Sequence, residues 1–79
     1  MARPRDPIRI VSELVASVAE VAVAVGDDVP AGGIVALLES MKMEIPMLTE
    51  RAGRVTDVRV SAGDVVQDGD VLVVLQPTD

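Results

Sequence analysis

No cysteine, histidine, phenylalanine, tyrosine or tryptophan occurs in the chain, and lysine occurs once, at Lys42. Without cysteine there is no disulfide framework and no thiolate metal site. Without histidine the commonest metal ligand and the usual general base near neutral pH are both missing, so no metal site is expected. The absence of aromatic rings removes the stacking platforms on which single-stranded nucleic acids are bound. Basic residues are also few, 7 against 13 acidic ones, for a formal net charge of -6. A nucleic-acid partner, which needs clustered cations, is therefore not expected. Arg3 and Arg5 near the start are not followed by the apolar stretch of a secretory signal, and no run approaches the roughly 18 apolar residues of a membrane span. A cytoplasmic protein without a membrane partner is the expectation.

What is present is aliphatic. Valine, alanine, leucine, isoleucine and methionine supply the whole 49% hydrophobic content of 79 residues, enough for one small core. Residues 8–38 superpose on residues 45–75 at a constant offset of 37, with ten of 31 positions identical. Among the matches, Gly26/Gly63, Asp27/Asp64, Val29/Val66 and Gly32/Gly69 recur together as G-D-x-V-x-x-G, a pattern that valine-rich composition alone would seldom supply. The chain thus reads as two copies of one supersecondary unit, with residues 39–44 as the hairpin linker between them. Flanking these are an N-terminal segment at 1–7, expected to be flexible, and a tail at 77–79.

Each copy reads as β-strands. "VAEVAVAV" and "VTDVRVSA" are short, valine-rich and bounded by Gly-Asp, and "IVALLE" and "VLVVLQ" are β-formers too short for buried helices. Alternation breaks between Val18 and Val21, and again between Val55 and Val58, which predicts an equivalent bulge in each copy. Gly26, Gly32, Gly63 and Gly69 are expected at turn positions needing positive φ, with Val29 and Val66 tucked beneath as apolar plugs. Pro46 belongs at an edge, a strand start or a bulge. The expected fold is all-β, two small antiparallel sheets related by an approximate two-fold axis, with Arg9, Arg54 and Arg59 outward and Lys42 protruding away from both termini.

The central stretch "LESMKMEIP" is unusual for a turn, which ordinarily prefers Gly, Asn or Asp. "ESMKME", with "GRV" beginning eleven residues after Lys42 and "GDVVQDG" beyond it, closely resembles the biotinyl attachment domain of biotin carboxyl carrier proteins and acyl-CoA carboxylases. The resemblance covers about residues 8–76, the extent expected for the domain. It implies a flattened barrel-sandwich hybrid of two four-stranded antiparallel sheets, with the modified lysine on a hairpin tip. It further implies that Lys42 is joined to biotin by a biotin protein ligase, and that Glu39, Ser40, Met41, Met43 and Glu44 form the recognition hairpin. In such systems a biotin carboxylase loads CO2 onto the biotin ring and a carboxyltransferase moves it to an acyl-CoA or another acceptor. Related lipoyl domains share the duplicated fold but usually carry Asp before their lysine, where this chain has Met41. A lipoyl carrier, or an unmodified assembly module of the same fold, remains the alternative. Ala19 stands where glycine is frequent, no thumb loop is inserted in the first copy, and the chain resembles either a minimal, free-standing form, which the "MARPRDP" start favours, or a domain cut from a longer carboxylase subunit.

No residue set supports intrinsic catalysis. Ser12, Ser17, Ser40 and Ser61 have no histidine partner, and Asp27 with Asp64 read as loop caps, so a non-catalytic carrier is expected. The methionines flank an exposed lysine on both sides. Residues two apart at a tight turn diverge, so both cannot be core, and a contact role toward partners or the attached ring is expected.

Overall fold

Short aliphatic strands cannot bury an apolar face alone, and here they pair into two facing sheets. The computed structural model describes residues 6–78. Its strands are β1 Ile8–Val11, β2 Ala16–Val21, β3 Asp28–Val29, β4 Ile34–Ser40, β5 Met43–Leu48, β6 Gly53–Val58, β7 Val65–Val66 and β8 Val71–Pro77. One sheet runs β1-β8-β6-β3 and the other β5-β4-β2-β7, antiparallel throughout. An offset of 37 carries β2 onto β6, β3 onto β7 and β4 onto β8. Each sheet therefore contains two strands from each copy, and the copies interlock.

The loops are the clasps of this interlock. Gly63 N donates to Val18 O at 2.8 Å and Val18 N donates to Asp64 O at 2.8 Å. In the other copy Gly26 N donates to Val55 O at 2.8 Å and Val55 N to Asp27 O at 2.9 Å. Each Gly-Asp loop so grips the strand of the opposite copy. Its chain reversal needs left-handed backbone, with φ of 97° at Gly26 and 96° at Gly63. The aspartates brace the same turns, Asp27 Oδ2 accepting from Ala24 N and Asp64 Oδ2 from Ser61 N, both at 2.8 Å. Val29 and Val66 lie buried beneath.

Register shifts fall between Val18 and Glu20 and between Val55 and Asp57, so Ala19 and Thr56 are the unpaired bulge residues of equivalent strands. The core is Val18, Val35, Leu38, Val55, Leu72, Val73 and Leu75 with smaller neighbours. Ser12 and Thr49 are fully buried yet satisfied, their hydroxyls donating to Leu14 O at 2.6 Å and Arg51 O at 2.7 Å. The edge strands β1 and β5 flank a groove of about 570 Å³, lined by repeat mates such as Ile8 with Ile45 and Ile10 with Met47, which lies across the two-fold axis. The exposed arginines Arg9, Arg54 and Arg59 point outward.

Some boundaries differ from the sequence reading. "VAEVAVAV" and "VTDVRVSA" are not strands over their full length. β2 and β6 begin two residues earlier and stop at Val21 and Val58, because the chain must then leave the sheet for the loop that clasps the other copy. The linker 39–44 is mostly ladder, with Glu39, Ser40, Met43 and Glu44 all paired. Pro77, assigned to the tail, closes β8 opposite Gly53, and Thr78 N donates to Ala52 O at 3.1 Å, since the start of β6 offers it a partner. Residues 1–5 of the N-terminal segment and residue 79 of the tail lie outside the described residues.

Candidate functional site

The hairpin is built upward from a buried base. Leu38 pairs with Ile45, Leu37 with Pro46 and Ala36 with Met47, and Leu38 and Ala36 are fully buried. Pro46 sits in the edge strand β5, a placement that tolerates a ring without an N–H. Above the base, Glu39 pairs with Glu44 and Ser40 with Met43, leaving Met41 and Lys42 as a two-residue turn.

The type I′ form of such a turn follows the right-handed strand twist with positive φ at both central residues, which is why Asn-Gly is its usual choice. Here φ is 52° at Met41 and 63° at Lys42. Among the described residues these two are the non-glycine residues in that region. Left-handed backbone costs a residue with a β-carbon roughly 1–2 kcal/mol. Directly below, the opposed pair Glu39 and Glu44 sets like charges face to face, an arrangement that disfavours the ladder. Local stability is thus reduced where Lys42 is displayed.

Lys42 itself is exposed, and among the described residues no ion pair holds its ammonium. Met41 is 92% exposed and Met43 63%, so neither belongs to the core. Ser40 is half-buried. The result is a primary amine on a flexible stem, held on a two-stranded arm, with two bare thioether side chains beside it. That arrangement suits acylation of the amine by an external enzyme, because nothing must be displaced to reach the nitrogen. Gly26, Gly32, Gly63 and Gly69 lie away from the tip, in the loops that clasp the sheets. Among the described residues no three carboxylates gather as a metal-binding group.

A family model described as biotin-requiring enzyme matches residues 8–75, nearly all of the described chain. The chain belongs to this biotin/lipoyl family. Within the family, "Biotinylated protein TB7.3 homolog" of Mycobacterium leprae is 55% identical over 64 residues, covering 81% of this chain and 90% of the relative. "Biotin/lipoyl attachment protein" of Bacillus subtilis is 44% identical over 56 residues, covering 71% of this chain and 77% of the relative. Among solved structures, a single-chain, multi-domain long-chain acyl-CoA carboxylase superposes with a TM-score of 0.85 at 35% identity, covering 100% of this chain. The Kluyveromyces lactis urea carboxylase superposes with a TM-score of 0.83 at 32% identity over 95% of this chain. The chain spans only 8% and 7% of those two carboxylases. The biotin/lipoyl fold is thereby established as the two-sheet, all-β architecture described above.

The structure adds Ser17 and Glu20 as neighbours of the hairpin strands. The ladder puts Ser17 beside Glu39 and Glu20 beside Leu37, next to the hairpin strands. The available signal was the repeat itself, which aligns Glu20 with Asp57 but sets Ser17 against Arg54.

Proposed function

We infer that this domain is a biotin carboxyl carrier, with Lys42 as the attachment residue and a biotin-dependent acyl-CoA carboxylase as the system it serves. The observation that carries this reading is the position of the only lysine, exposed at the tip of a two-residue hairpin whose base is locked into the core. Family membership supplies the chemistry for which that geometry is suited.

In the attachment step a biotin protein ligase presents biotin as its acyl-adenylate. The Lys42 nitrogen attacks the carboxyl carbon, AMP leaves with the bonding electron pair, and the proton lost from nitrogen goes to the ligase or solvent. An amide replaces the ammonium, so the formal net charge moves from -6 to -7. Bound biotin supplies a ring nitrogen that can take up and give back a carboxyl group. The protein's share is positional. The ladder below Ser40 and Met43 holds the root of the arm, and the four-carbon lysine stem provides reach from biotin carboxylase to carboxyltransferase. Tethering raises the effective concentration of the group at both centres. The domain catalyses neither step.

Intact-mass measurement after incubation with ligase, ATP and biotin tests the reading. One biotinyl adduct is expected on the parent protein and none on Lys42→Arg, which keeps fold and charge. A lipoyl adduct formed in cells, or a biotinyl adduct that persists in Lys42→Arg, would overturn it.

A further inference from the structure

The duplication provides an internal control. The two sheets perform the same structural task, so a residue that the fold needs on one outer face should have a counterpart on the other. The β1-β8-β6-β3 sheet carries Arg9 and Arg54 on its strands, with Arg59 just beyond β6. Arg54 Nε lies 3.0 Å from Asp28 and Arg59 Nε lies 2.8 Å from Asp57, so this face is largely self-neutralised.

The sheet that bears the hairpin is different. Its strands β2, β4, β5 and β7 contain no arginine or lysine. The repeat counterparts of Arg9, Arg54 and Arg59 are Pro46, Ser17 and Ala22, and that of Asp28 is Val65, which is 68% exposed. Of the two acidic groups, Asp57 keeps a counterpart in Glu20, and Glu39 and Glu44 join it on this sheet. Register places Glu44, Glu39, Ser17 and Val65 in one row across the four strands, and Pro46, Leu37 and Glu20 in the next. Ile34 and Leu48, 50% and 47% exposed, form a pair below them. The outer face of the hairpin sheet therefore sets Glu39, Glu44 and Glu20 beside an apolar strip of Pro46, Leu37, Ile34 and Leu48, with Arg9 and Arg51 only across the groove at its β5 edge, a combination the other sheet shows the fold does not require. Contiguous exposed apolar surface of this kind marks interaction sites.

We propose that this outer face is the docking surface by which the biotin ligase selects the domain, through a ligase surface that presents cationic side chains around an apolar patch. The proposal rests on Lys42 as the attachment residue. A lysine side chain is common to most proteins, and before modification there is no biotin to identify its owner. The ligase must therefore draw discrimination from the surface it covers while Lys42 is in its active site. Glu20 and Leu37 lie about five residues of strand from Lys42, roughly 16 Å at the usual rise. That distance falls inside a standard interface of about 800 Å² per partner. Opposite charge across it would hasten encounter and select the partner.

The test uses residues away from the hairpin, Glu20→Arg and Val65→Asp, with Asp28→Ser and Arg54→Ser on the opposite sheet as controls. Biotinylation rates are measured against carrier concentration at low and high salt, alongside melting curves. The hairpin-sheet variants should raise KM roughly tenfold with kcat within about twofold, and Glu20→Arg should also flatten the salt dependence. The controls should stay within about twofold at unchanged melting midpoints. Equal effects on both faces, or no effect on the hairpin sheet, would overturn the proposal. So would a dimer in sedimentation that Glu20→Arg abolishes, which would assign the face to a second copy. Intact ligation with slowed carboxylation would assign it to the carboxylase and overturn the ligase assignment. Calorimetric binding of ligase to Lys42→Arg separates this proposal from the attachment reading. Binding weakened by Glu20→Arg supports the docking face even if the parent takes up no biotin, and no binding refutes it.

Discussion

Four of the six described residues with positive φ are Gly26, Gly32, Gly63 and Gly69 in the repeated loops, and the other two are Met41 and Lys42 at the hairpin tip. The loops and the tip meet the same backbone demand with opposite chemistry. In the loops a β-carbon would meet nothing within 4 Å at any of the four glycines, so glycine is there for its φ alone and the clasp forms without strain. At the tip, side chains with full stems take up the same conformation beside opposed carboxylates. A strained conformation persists only where its surroundings determine it, and here the locked pairs Leu38 with Ile45 and Ala36 with Met47 do so. The loops are built for stability, and the tip is built for display at some cost to it.

The sharpest way to break this comparison is to remove the anchor. Leu38→Ala should destabilise the domain by about 2–5 kcal/mol, and its repeat mate Leu75→Ala by a similar amount, because both are fully buried. Urea denaturation measures both. A Leu38→Ala midpoint no lower than that of a tip variant would mean that the hairpin base is not what holds the tip.

Next in size come the clasps. With no steric contact awaiting the new atom, Gly26→Ala and Gly63→Ala isolate the backbone contribution, at about 1–2 kcal/mol each. Gly33→Ala adds a different mechanism to the same measurement. Its β-carbon would stand 2.5 Å from Val29 Cγ1 and 2.9 Å from Pro30 O, so its cost comes from overpacking, about 1–3 kcal/mol. Its repeat counterpart Asp70 has room for a carboxylate that accepts from Gln67 N at 2.9 Å, a bond Pro30 could not have donated.

The smallest effects belong to the tip and have the opposite sign or none. Met41→Asn should stabilise the domain by about 0.5 kcal/mol, since asparagine tolerates left-handed backbone better. Met43→Ala should change stability by less than about 0.5 kcal/mol, as expected of a side chain 63% exposed. Thermal melts followed by circular dichroism, paired with ligase kinetics on the same proteins, complete the test. A loss of stability in Met41→Asn comparable to that in Gly26→Ala would show that the tip is not strained.

Much of this was legible in the chain. The offset of 37, the recurring G-D-x-V-x-x-G and the shared break in alternation near Val18 and Val55 are sequence facts, and they led to the repeat, the paired loops and the bulges. Lys42 stood out because no other lysine exists and because its neighbours resemble a known motif. Strand limits were less legible. Val23 and Val60 look like strand residues, yet the chain leaves the sheet after Val21 and Val58 to reach the opposite copy, and no local preference encodes that departure.

Sequence by itself determined the two-copy plan, the all-β character and the single lysine at the centre of the chain, because each follows from local pattern, composition or a unique occurrence. Tertiary structure alone decided that the copies interlock, that the turn narrows to Met41 and Lys42 in left-handed backbone, and that Glu20, Glu39, Glu44 and Val65 share one face. Those outcomes depend on cross-strand register, which brings residues distant in the chain to adjacent places and is set by how the whole core closes.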